Sequence, residues 1–255
     1  MSFVVRKDVR IYYEERGSGG LEFVLVHGSR CDHTSMEPLA RHLSARGRVV
    51  SLDLRGHGLS DKPPGPYSGE DFLEEVTTVV AAVNMSNPVL IGHSMGARVV
   101  AGVASVYPDC ARALVLLDNS VNQSPSFVAA RMAELRDEPT ANSLRRARVE
   151  RMFLPTDHSP EREAILDGIL GTPLATQVAI QTAADEIDPA AALRGCRVPV
   201  LYISGSAAKE DPATLLSLKS DLVYGRVVGS GHFVQIDAPA QVNAMIDRFI
   251  QEYVE

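Results

Sequence analysis

The sequence predicts an α/β fold in which a mostly parallel sheet is covered by helices on both faces. Over residues 1–118, short and continuously apolar runs alternate with segments of helical composition and spacing. Such runs are typical of strands that are buried on both faces. The alternation stops there and resumes only after residue 189. We therefore predict a core formed by residues 1–118 and 190–255, and an all-helical insertion over residues 119–189.

The elements before the insertion follow in chain order. Residues 9–16 alternate between apolar and polar side chains and lead into the glycine-rich segment 17–20, as expected for an antiparallel edge strand and a turn. The apolar segment 23–26 is the first predicted buried strand. It is followed by helix 36–46, strand 48–53, helix 70–83, strand 88–91, helix 97–104 and strand 113–118.

The insertion carries helical patterns such as 127–135 and 164–170, and several prolines separate them. No convincing strand pattern occurs in it. After the insertion the sequence predicts strands 198–204 and 222–228 and a final helix over 239–253.

Composition and charge limit the classes of function. The chain has 255 residues, 45% of them hydrophobic, and a net charge of −7, which favours a globular protein and disfavours a nucleic-acid surface. No segment reaches the roughly 20 apolar residues that span a bilayer, and the first residues lack a signal-peptide pattern. Three widely spaced cysteines fit neither a disulfide framework nor a zinc motif. We expect a cytoplasmic monomer or homodimer that acts on a small molecule, with no nucleic acid, membrane, metal or cofactor.

The most informative motif is the pentapeptide 92–96, Gly-His-Ser-Met-Gly. It stands between a predicted strand and a predicted helix, so Ser94 occupies a very tight turn. The glycines two residues on either side remove Cβ atoms that would collide as strand and helix approach each other. The helix N-terminus also favours negative charge beside Ser94. We predict that Ser94 is a nucleophile.

A serine hydroxyl needs a base within hydrogen-bond reach, and that base needs an acid to orient it. His232 is the predicted base, because its glycine-rich loop follows the last strand and reaches the same sheet edge as Ser94. Asp118 ends a predicted strand at that edge and is the preferred acid. Asp211 and Glu210, on the loop after the next strand, remain alternatives, although Asp211 can equally cap a helix.

A reacting carbonyl oxygen needs backbone donors for its developing negative charge. The predicted oxyanion donors are the N–H groups of Met95 and Ser29, because a glycine beside Ser29 lets its loop approach the substrate. The neighbouring His27, Arg30 and Cys31 are predicted to bind substrate, with Arg30 contacting an anionic group and Cys31 lining the pocket.

A run of arginines in the insertion offers a second candidate anion site. Residues at helical spacing there share a face, although a solvated face that pairs with acidic neighbours explains the run more simply. The arginines are Arg145, Arg146, Arg148 and Arg151.

Four segments of the chain together resemble the α/β-hydrolase fold superfamily, and the resemblance covers nearly the whole length. The segments are 24–28, 53–60, 92–96 and 231–233. They occur in the order that the family uses: oxyanion loop, nucleophile, then histidine last. The resemblance implies an eight-stranded sheet and a helical cap, which corresponds to the insertion.

The resemblance also bears on individual residues. It implies a mainly structural role for the segment 53–60, so Asp53, Arg55 and His57 are left out of the catalytic set. In the family the acid usually lies three residues past the glycine after the seventh strand, which here is Ala208. Some branches carry the acid at the end of the sixth strand instead, where Asp118 stands.

The predicted function is a serine hydrolase that cleaves a small ester, lactone or amide through an acyl-enzyme. One alternative is a C–C bond hydrolase of vinylogous diketones with the same triad, although the tryptophan common in that group is missing. A second is a cofactor-independent dioxygenase of the same fold that uses a His–Asp dyad. A third is a non-catalytic receptor or binding protein that keeps the triad for ligand hydrolysis or orientation. The fold does not choose among them.

Overall fold

The structure, a computed structural model, describes residues 1–121, 124–136, 146–147, 149–157, 159–207 and 210–255. In these residues the strands are β1 (Ser2–Arg6), β2 (Val9–Val26), β3 (Gly47–Leu52), β4 (Val89–His93), β5 (Ala113–Leu117), β6 (Val200–Ser204) and β7 (Val223–Arg226). The helices are α1 (Glu37–Leu43), α2 (Gly69–Ala82), α3 (Met95–Val106), α4 (Pro125–Arg136), α5 (Pro160–Gly171), α6 (Leu174–Glu186), α7 (Pro189–Gly195), α8 (Pro212–Leu218), α9 (Val234–Asp237) and α10 (Pro239–Tyr253). Single 3-10 turns cover His33–Met36 and Pro108–Cys110.

All of the described strands belong to one sheet. Its order is β1-β2-β4-β5-β6-β7, and β3 also pairs with β2. The pairs from β2 through β4, β5 and β6 to β7 are parallel, whereas β1 pairs antiparallel with β2. The mostly parallel sheet predicted from the sequence is therefore confirmed. Because parallel strands end on the same side, the loops that follow β4, β5 and β6 meet at one edge.

Strand β2 bends back on itself and uses both of its halves. Residues 13–16 pair with β3 in descending register, whereas residues 21–26 pair with β3 in ascending register. The bend lies at residues 17–20, where three glycines have positive φ, a conformation that costs glycine little. The resemblance implied eight strands and the described residues form seven, because the two halves of β2 are one continuous strand.

Apolar side chains cover both faces of the sheet. Leu90 of β4 packs with residues of α2 and α3, whereas the next residue, Ile91, packs with residues of α1 and α10. Both are fully buried. Successive residues of a strand point to opposite faces, so this alternation confirms helices on both sides. It also fixes β4 in the interior of the sheet, with Ser94 directly after it.

Between β5 and β6 the described residues form helices and contain no strand. Helix α6 is tied to the core, since Arg98 Nη1 donates to the Ala184 carbonyl over 2.7 Å and the Gly69 N–H donates to Glu186 Oε2 over 2.8 Å. A separate apolar cluster joins the insertion to the loops at the sheet edge. It consists of Cys31, Val149, Phe153, Ile165, Leu166, Ile169 and Phe233.

None of the helices in the described part of the chain is both long and apolar enough to cross a lipid bilayer.

Candidate active site

Ser94 occupies the turn between β4 and α3. Its φ of 53° and ψ of −113° are unusual for a residue with a side chain, and such conformations cost about 1–3 kcal/mol. A Cβ on Gly92 would collide with the backbone of Gly96, and one on Gly96 would collide with that of Val26. The Ser94 N–H donates to the Leu117 carbonyl over 2.9 Å. Close packing and this hydrogen bond hold the serine at the carboxyl edge of the sheet.

A chain of hydrogen bonds joins Ser94, His232 and Asp118. His232 Nε2 lies 3.0 Å from Ser94 Oγ, and His232 Nδ1 lies 2.6 Å from Asp118 Oδ2. Because a carboxylate only accepts, Nδ1 carries the proton and Nε2 is left to accept from the serine hydroxyl. The His232 and Asp118 side chains are 9% and 2% exposed, so water screens this pair weakly. The arrangement can remove a proton from Ser94.

Contacts on every side fix Asp118. It directly follows β5 with a positive φ of 44°, and its N–H donates to the Ile203 carbonyl over 2.8 Å. Its Oδ1 accepts the Gly205 N–H over 2.9 Å. A Cβ on Gly205 would lie 2.6 Å from the Gly231 carbonyl oxygen, so position 205 requires glycine. These contacts leave Oδ2 directed at the imidazole.

The two alternative acids have other positions. Asp211 is exposed at the residue before α8. Glu210 is buried and accepts hydrogen bonds from Ser120 Oγ over 2.6 Å and from the Val121 N–H over 2.8 Å. Of the three acids considered from the sequence, Asp118 is the one whose contact with the base the structure describes.

The two predicted oxyanion donors belong to segments that meet at Ser94. Met95 is the first residue of α3 and follows Ser94 directly. The loop that carries Ser29 packs against the turn, because a Cβ on Gly28 would lie 3.5 Å from Ser94 Cβ and 2.8 Å from His93 Nδ1. Within the described residues neither N–H has a hydrogen-bond partner. Both are therefore able to donate to a substrate oxygen.

His27 does not have the substrate-binding position expected from the sequence. Its side chain is fully buried, its Nδ1 lies 2.8 Å from the Gly28 carbonyl, and its Nε2 accepts the Leu54 N–H over 3.2 Å. Burial lowers the pKa of this imidazole, which keeps it neutral. Since backbone groups occupy both nitrogens, His27 supports the loop and is not available to a substrate.

Cys31 and Arg30 both contact the insertion. Cys31 is buried in the apolar cluster that joins the insertion to the sheet edge, and burial raises the pKa of its thiol to about 12. Arg30 has a positive φ of 62°, and its Nη1 donates to Gln177 Oε1 over 3.2 Å. Gln177 is itself buried on α6 and donates to the Thr172 carbonyl. The Arg30 guanidinium is thus held against α6 by the buried Gln177.

Several residues singled out in the sequence lie outside the described part of the chain, namely Ala208, Arg145 and Arg148. Of the other insertion arginines, Arg146 forms an ion pair with Glu150 at 2.9 Å and Arg151 is exposed. The Arg146 pair matches the simpler explanation of a solvated helix face.

Two contacts of the His232 backbone were not expected from the sequence. The His232 N–H donates to the Met152 carbonyl of the insertion over 2.6 Å. The His232 carbonyl accepts from His93 Nε2 over 2.9 Å. A Cβ on Gly231 would collide with the Met152 carbonyl, so the glycine before His232 was the available signal of this close approach. The histidine inside the pentapeptide gave no comparable signal.

A second histidine–aspartate pair lies nearby, after β3. His33 Nδ1 lies 3.0 Å from Asp53 Oδ1, and the Leu59 N–H donates to Asp53 Oδ2 over 2.8 Å. His57 is buried, which lowers its pKa to about 3, and its Nδ1 donates to the Arg55 carbonyl. These residues stabilise the loop after β3. Across the described residues, no group of three or more His, Cys, Asp or Glu side chains is arranged to hold a metal ion.

Comparison with known proteins gives consistent results. The family model of the alpha/beta hydrolase family matches residues 23–245. A 2-(acetamidomethylene)succinate hydrolase from Mesorhizobium japonicum is 29% identical over 95% of this chain and 92% of its own length. A haloalkane dehalogenase from Agrobacterium fabrum is 26% identical over 95% of this chain and 88% of its own. The crystal structure of an enol-lactonase from Burkholderia xenovorans superposes with a TM-score of 0.86, covering 98% of this chain and all of that one at 23% identity. At that identity the structural likeness shows the fold.

Proposed function

We propose that this chain, which belongs to the alpha/beta hydrolase family and is a hydrolase, cleaves a small ester, lactone or amide with Ser94 as its nucleophile. The observation that carries the proposal is the pair of contacts at 3.0 Å and 2.6 Å that joins Ser94, His232 and Asp118. A serine activated by an imidazole, which a carboxylate orients, is the arrangement that acyl transfer requires.

In the proposed acylation step, the Ser94 hydroxyl proton passes to His232 Nε2 while Oγ attacks the acyl carbon. The carbonyl oxygen becomes negatively charged and accepts hydrogen bonds from the N–H groups of Ser29 and Met95. The intermediate then collapses, and the Nε2 proton passes to the leaving alcohol or amine. The acyl group remains on Ser94 as an ester.

Deacylation repeats these steps with water. His232 Nε2 takes a proton from water as the oxygen attacks the acyl-enzyme, and the same proton then returns to Ser94 Oγ as the carboxylic acid leaves. Asp118 stays ionised throughout. It keeps the proton of the imidazole on Nδ1 and stabilises the imidazolium that forms in each step.

We further propose that the substrate carries a carboxylate that Arg30 binds. The support is the position of Arg30 one residue after the Ser29 donor, with its guanidinium held by the buried Gln177. A guanidinium binds a carboxylate with two parallel hydrogen bonds. The relative from Mesorhizobium japonicum is named for an acetamidomethylene succinate, which combines an amide-type bond with carboxylates.

Two further proposals concern the insertion and the surroundings in which the protein acts. Residues 119–189 are proposed to be a cap over the site, because their apolar cluster packs on Cys31 and Phe233. A small-molecule substrate and a cytoplasmic location agree with the three unpaired thiols and the acidic net charge.

The test is a panel of p-nitrophenyl esters, lactones and amides, measured with wild type and with Ser94→Ala. A serine hydrolase loses nearly all turnover in Ser94→Ala, whereas an oxygenase that relies on a His–Asp dyad keeps most of its activity. A fluorophosphonate probe should label the folded wild-type protein at Ser94, as read by peptide mass spectrometry. The absence of an adduct on wild type, or undiminished hydrolysis by Ser94→Ala, contradicts the proposal.

A further inference from the structure

Two hydrogen bonds hold the backbone of His232, one through its N–H and the other through its carbonyl. Its N–H donates to the Met152 carbonyl over 2.6 Å, and its carbonyl accepts from His93 Nε2 over 2.9 Å. Met152 belongs to the insertion, whereas His93 is the last residue of β4. The insertion and the central sheet therefore both fix the backbone of the proposed base.

Neighbouring groups enclose the His93 imidazole. It is fully buried, and its ring centroid lies 4.6 Å from that of His232 and 5.1 Å from that of Phe233. On another side the Gly28 backbone approaches so closely that a Cβ there would lie 2.8 Å from His93 Nδ1. Because a carbonyl only accepts, His93 Nε2 carries the proton in the bond to His232. Packing and hydrogen bonding thus permit one orientation of the ring.

Because His93 directly precedes Ser94, its hydrogen bond to the His232 carbonyl links the base to the nucleophile. Ser94 is the next residue, so a single peptide connects the nucleophile to the side chain that holds the base. The 3.0 Å contact between Ser94 Oγ and His232 Nε2 closes a ring of covalent and hydrogen bonds that runs from Ser94 through His93 to His232. A shift of the His232 loop away from β4 would lengthen that contact.

We propose that His93 is a positioning residue, whose Nε2–H holds the His232 carbonyl so that the imidazole stays in line between Ser94 and Asp118. The inference rests on the proposed serine-hydrolase function and adds a residue to it. His93 acts through His232 and has no part in the transfer of protons. The Met152 carbonyl is the second support of the His232 backbone, and its close approach explains the need for glycine at position 231.

Two substitutions separate the hydrogen bond from the bulk of the ring. His93→Phe removes the donor and keeps an aromatic ring against Phe233. His93→Gln restores an N–H donor at about the reach of Nε2. The matched control is His57→Phe, because His57 is equally buried and its Nδ1 also donates to a backbone carbonyl, that of Arg55, over 2.8 Å.

The readouts are kcat and KM with p-nitrophenyl acetate, the rate of fluorophosphonate labelling at Ser94, and the melting temperature. A misplacement of about 1 Å costs about 100-fold in rate, so His93→Phe should lower kcat and the labelling rate by about 10- to 100-fold while KM stays within about twofold. His93→Gln should recover to within about threefold of wild type. His57→Phe should leave kcat within about twofold, even where its melting temperature falls as far as that of His93→Phe.

Proton NMR supplies a readout that a purely structural role would not move. The downfield signal of the His232 Nδ1 proton, shared with Asp118, should broaden or shift in His93→Phe and return in His93→Gln. It should be unchanged in His57→Phe.

Three results overturn the positioning role. One is a kcat of His93→Phe within about twofold of wild type. Another is an equal loss in His93→Phe and His93→Gln. The third is a loss in His57→Phe that matches the loss in His93→Phe.

If His93→Phe does not fold, His93→Gln is compared with His93→Asn, whose amide is too short to reach the carbonyl. Equal activities of these two variants also overturn the role. Ser94→Ala tests the proposed function separately from the role of His93, because retained hydrolysis in that variant overturns the proposed function itself.

Discussion

Two histidine–aspartate pairs lie after strands of the same sheet, His232 with Asp118 and His33 with Asp53. In each pair the Nδ1 of the imidazole lies against a buried carboxylate, at 2.6 Å and 3.0 Å respectively. The pairs differ at the other nitrogen. The Nε2 of His232 lies 3.0 Å from a serine hydroxyl, whereas the Nε2 of His33 lies 3.9 Å from a carboxylate oxygen of Glu14.

This difference at Nε2 separates the proposed base from a structural ion pair. Burial opposes protonation of His33, but the hydrogen bond and charge of Asp53 outweigh it and raise the pKa of the imidazole. Two facing carboxylates favour the protonated form of His33, and that form has no lone pair with which to accept a proton from a substrate or a nucleophile. A carboxylate beside an imidazole is therefore insufficient to identify a base, and the group that faces the second nitrogen decides.

The largest effect that tests this contrast is expected at Asp118. Asp118→Asn cannot hold the proton of His232 on Nδ1, so turnover of p-nitrophenyl acetate should fall by about 10⁴-fold. The matched control, Asp211→Asn, alters an exposed carboxylate and should stay within about twofold of wild type. Steady-state kinetics at pH 8 measure both. A greater loss in Asp211→Asn would return the acid to the loop after β6.

Substitution of Asp53 should lower stability and leave kcat almost unchanged, the opposite of substitution of Asp118. Asp53→Ala removes the charge that His33 faces and leaves the His33 and Leu59 backbone N–H groups without their acceptor. We expect the free energy of unfolding to fall by about 3 kcal/mol, as for other broken buried pairs, in urea denaturation. Below the unfolding transition kcat should change by less than about threefold. A loss of kcat near that of Asp118→Asn would give the second pair a part in the chemistry.

The proposed recognition of a substrate carboxylate can be tested at Arg30, the residue after Ser29. Arg30→Gln keeps a polar side chain but loses the guanidinium, so KM for p-nitrophenyl hemisuccinate should rise about tenfold, about 1.4 kcal/mol. The uncharged p-nitrophenyl butyrate is the control substrate, and its KM should change little. An equal rise for the two esters would show that Arg30 supports the loop without recognising a carboxylate.

The smallest expected effect is the pH dependence of stability at His33. Because folding raises the pKa of this imidazole above its ordinary value near 6.5, its contribution to stability is complete below that pH. The contribution is lost as the pH rises through the folded-state pKa. The excess in unfolding free energy of wild type over His33→Gln should therefore be greater at pH 5 than at pH 9, as measured by urea denaturation at the two pH values. A difference that is constant with pH would mean that folding leaves the pKa of His33 unchanged.

The sequence predicted the parts of the site that depend on local pattern. A strand, a pentapeptide and a helix suffice to place Ser94 in its turn, and strand ends suffice to bring Asp118 and His232 to the same edge. The fold class follows for the same reason, because alternating apolar runs and helices permit few sheet topologies. These inferences require only the positions at which strands and helices end. They do not require the direction of any side chain.

The parts that were missed depend on contacts between distant segments. His93 and His232 are far apart in the chain, and nothing in either local sequence indicates that a side chain of one meets the carbonyl of the other. His27 was assigned to the substrate because it lies next to the oxyanion loop, yet its side chain points into the core and contacts Leu54. Adjacency in sequence gives position along the chain, whereas the direction of a side chain depends on tertiary packing.

Asp118 also holds together the two ends of the segment between β5 and β6. The polypeptide leaves the sheet after β5 and returns at β6, and Asp118 fastens the two ends of that excursion through the Ile203 carbonyl and the Gly205 N–H. The entropy lost in closing a loop grows only slowly with its length. The helices between these ends can therefore be lengthened, shortened or exchanged at little entropic cost, provided that the two hydrogen bonds of Asp118 are kept. The carboxylate proposed to orient the base is thus also the point at which the core can accept insertions of different length and sequence.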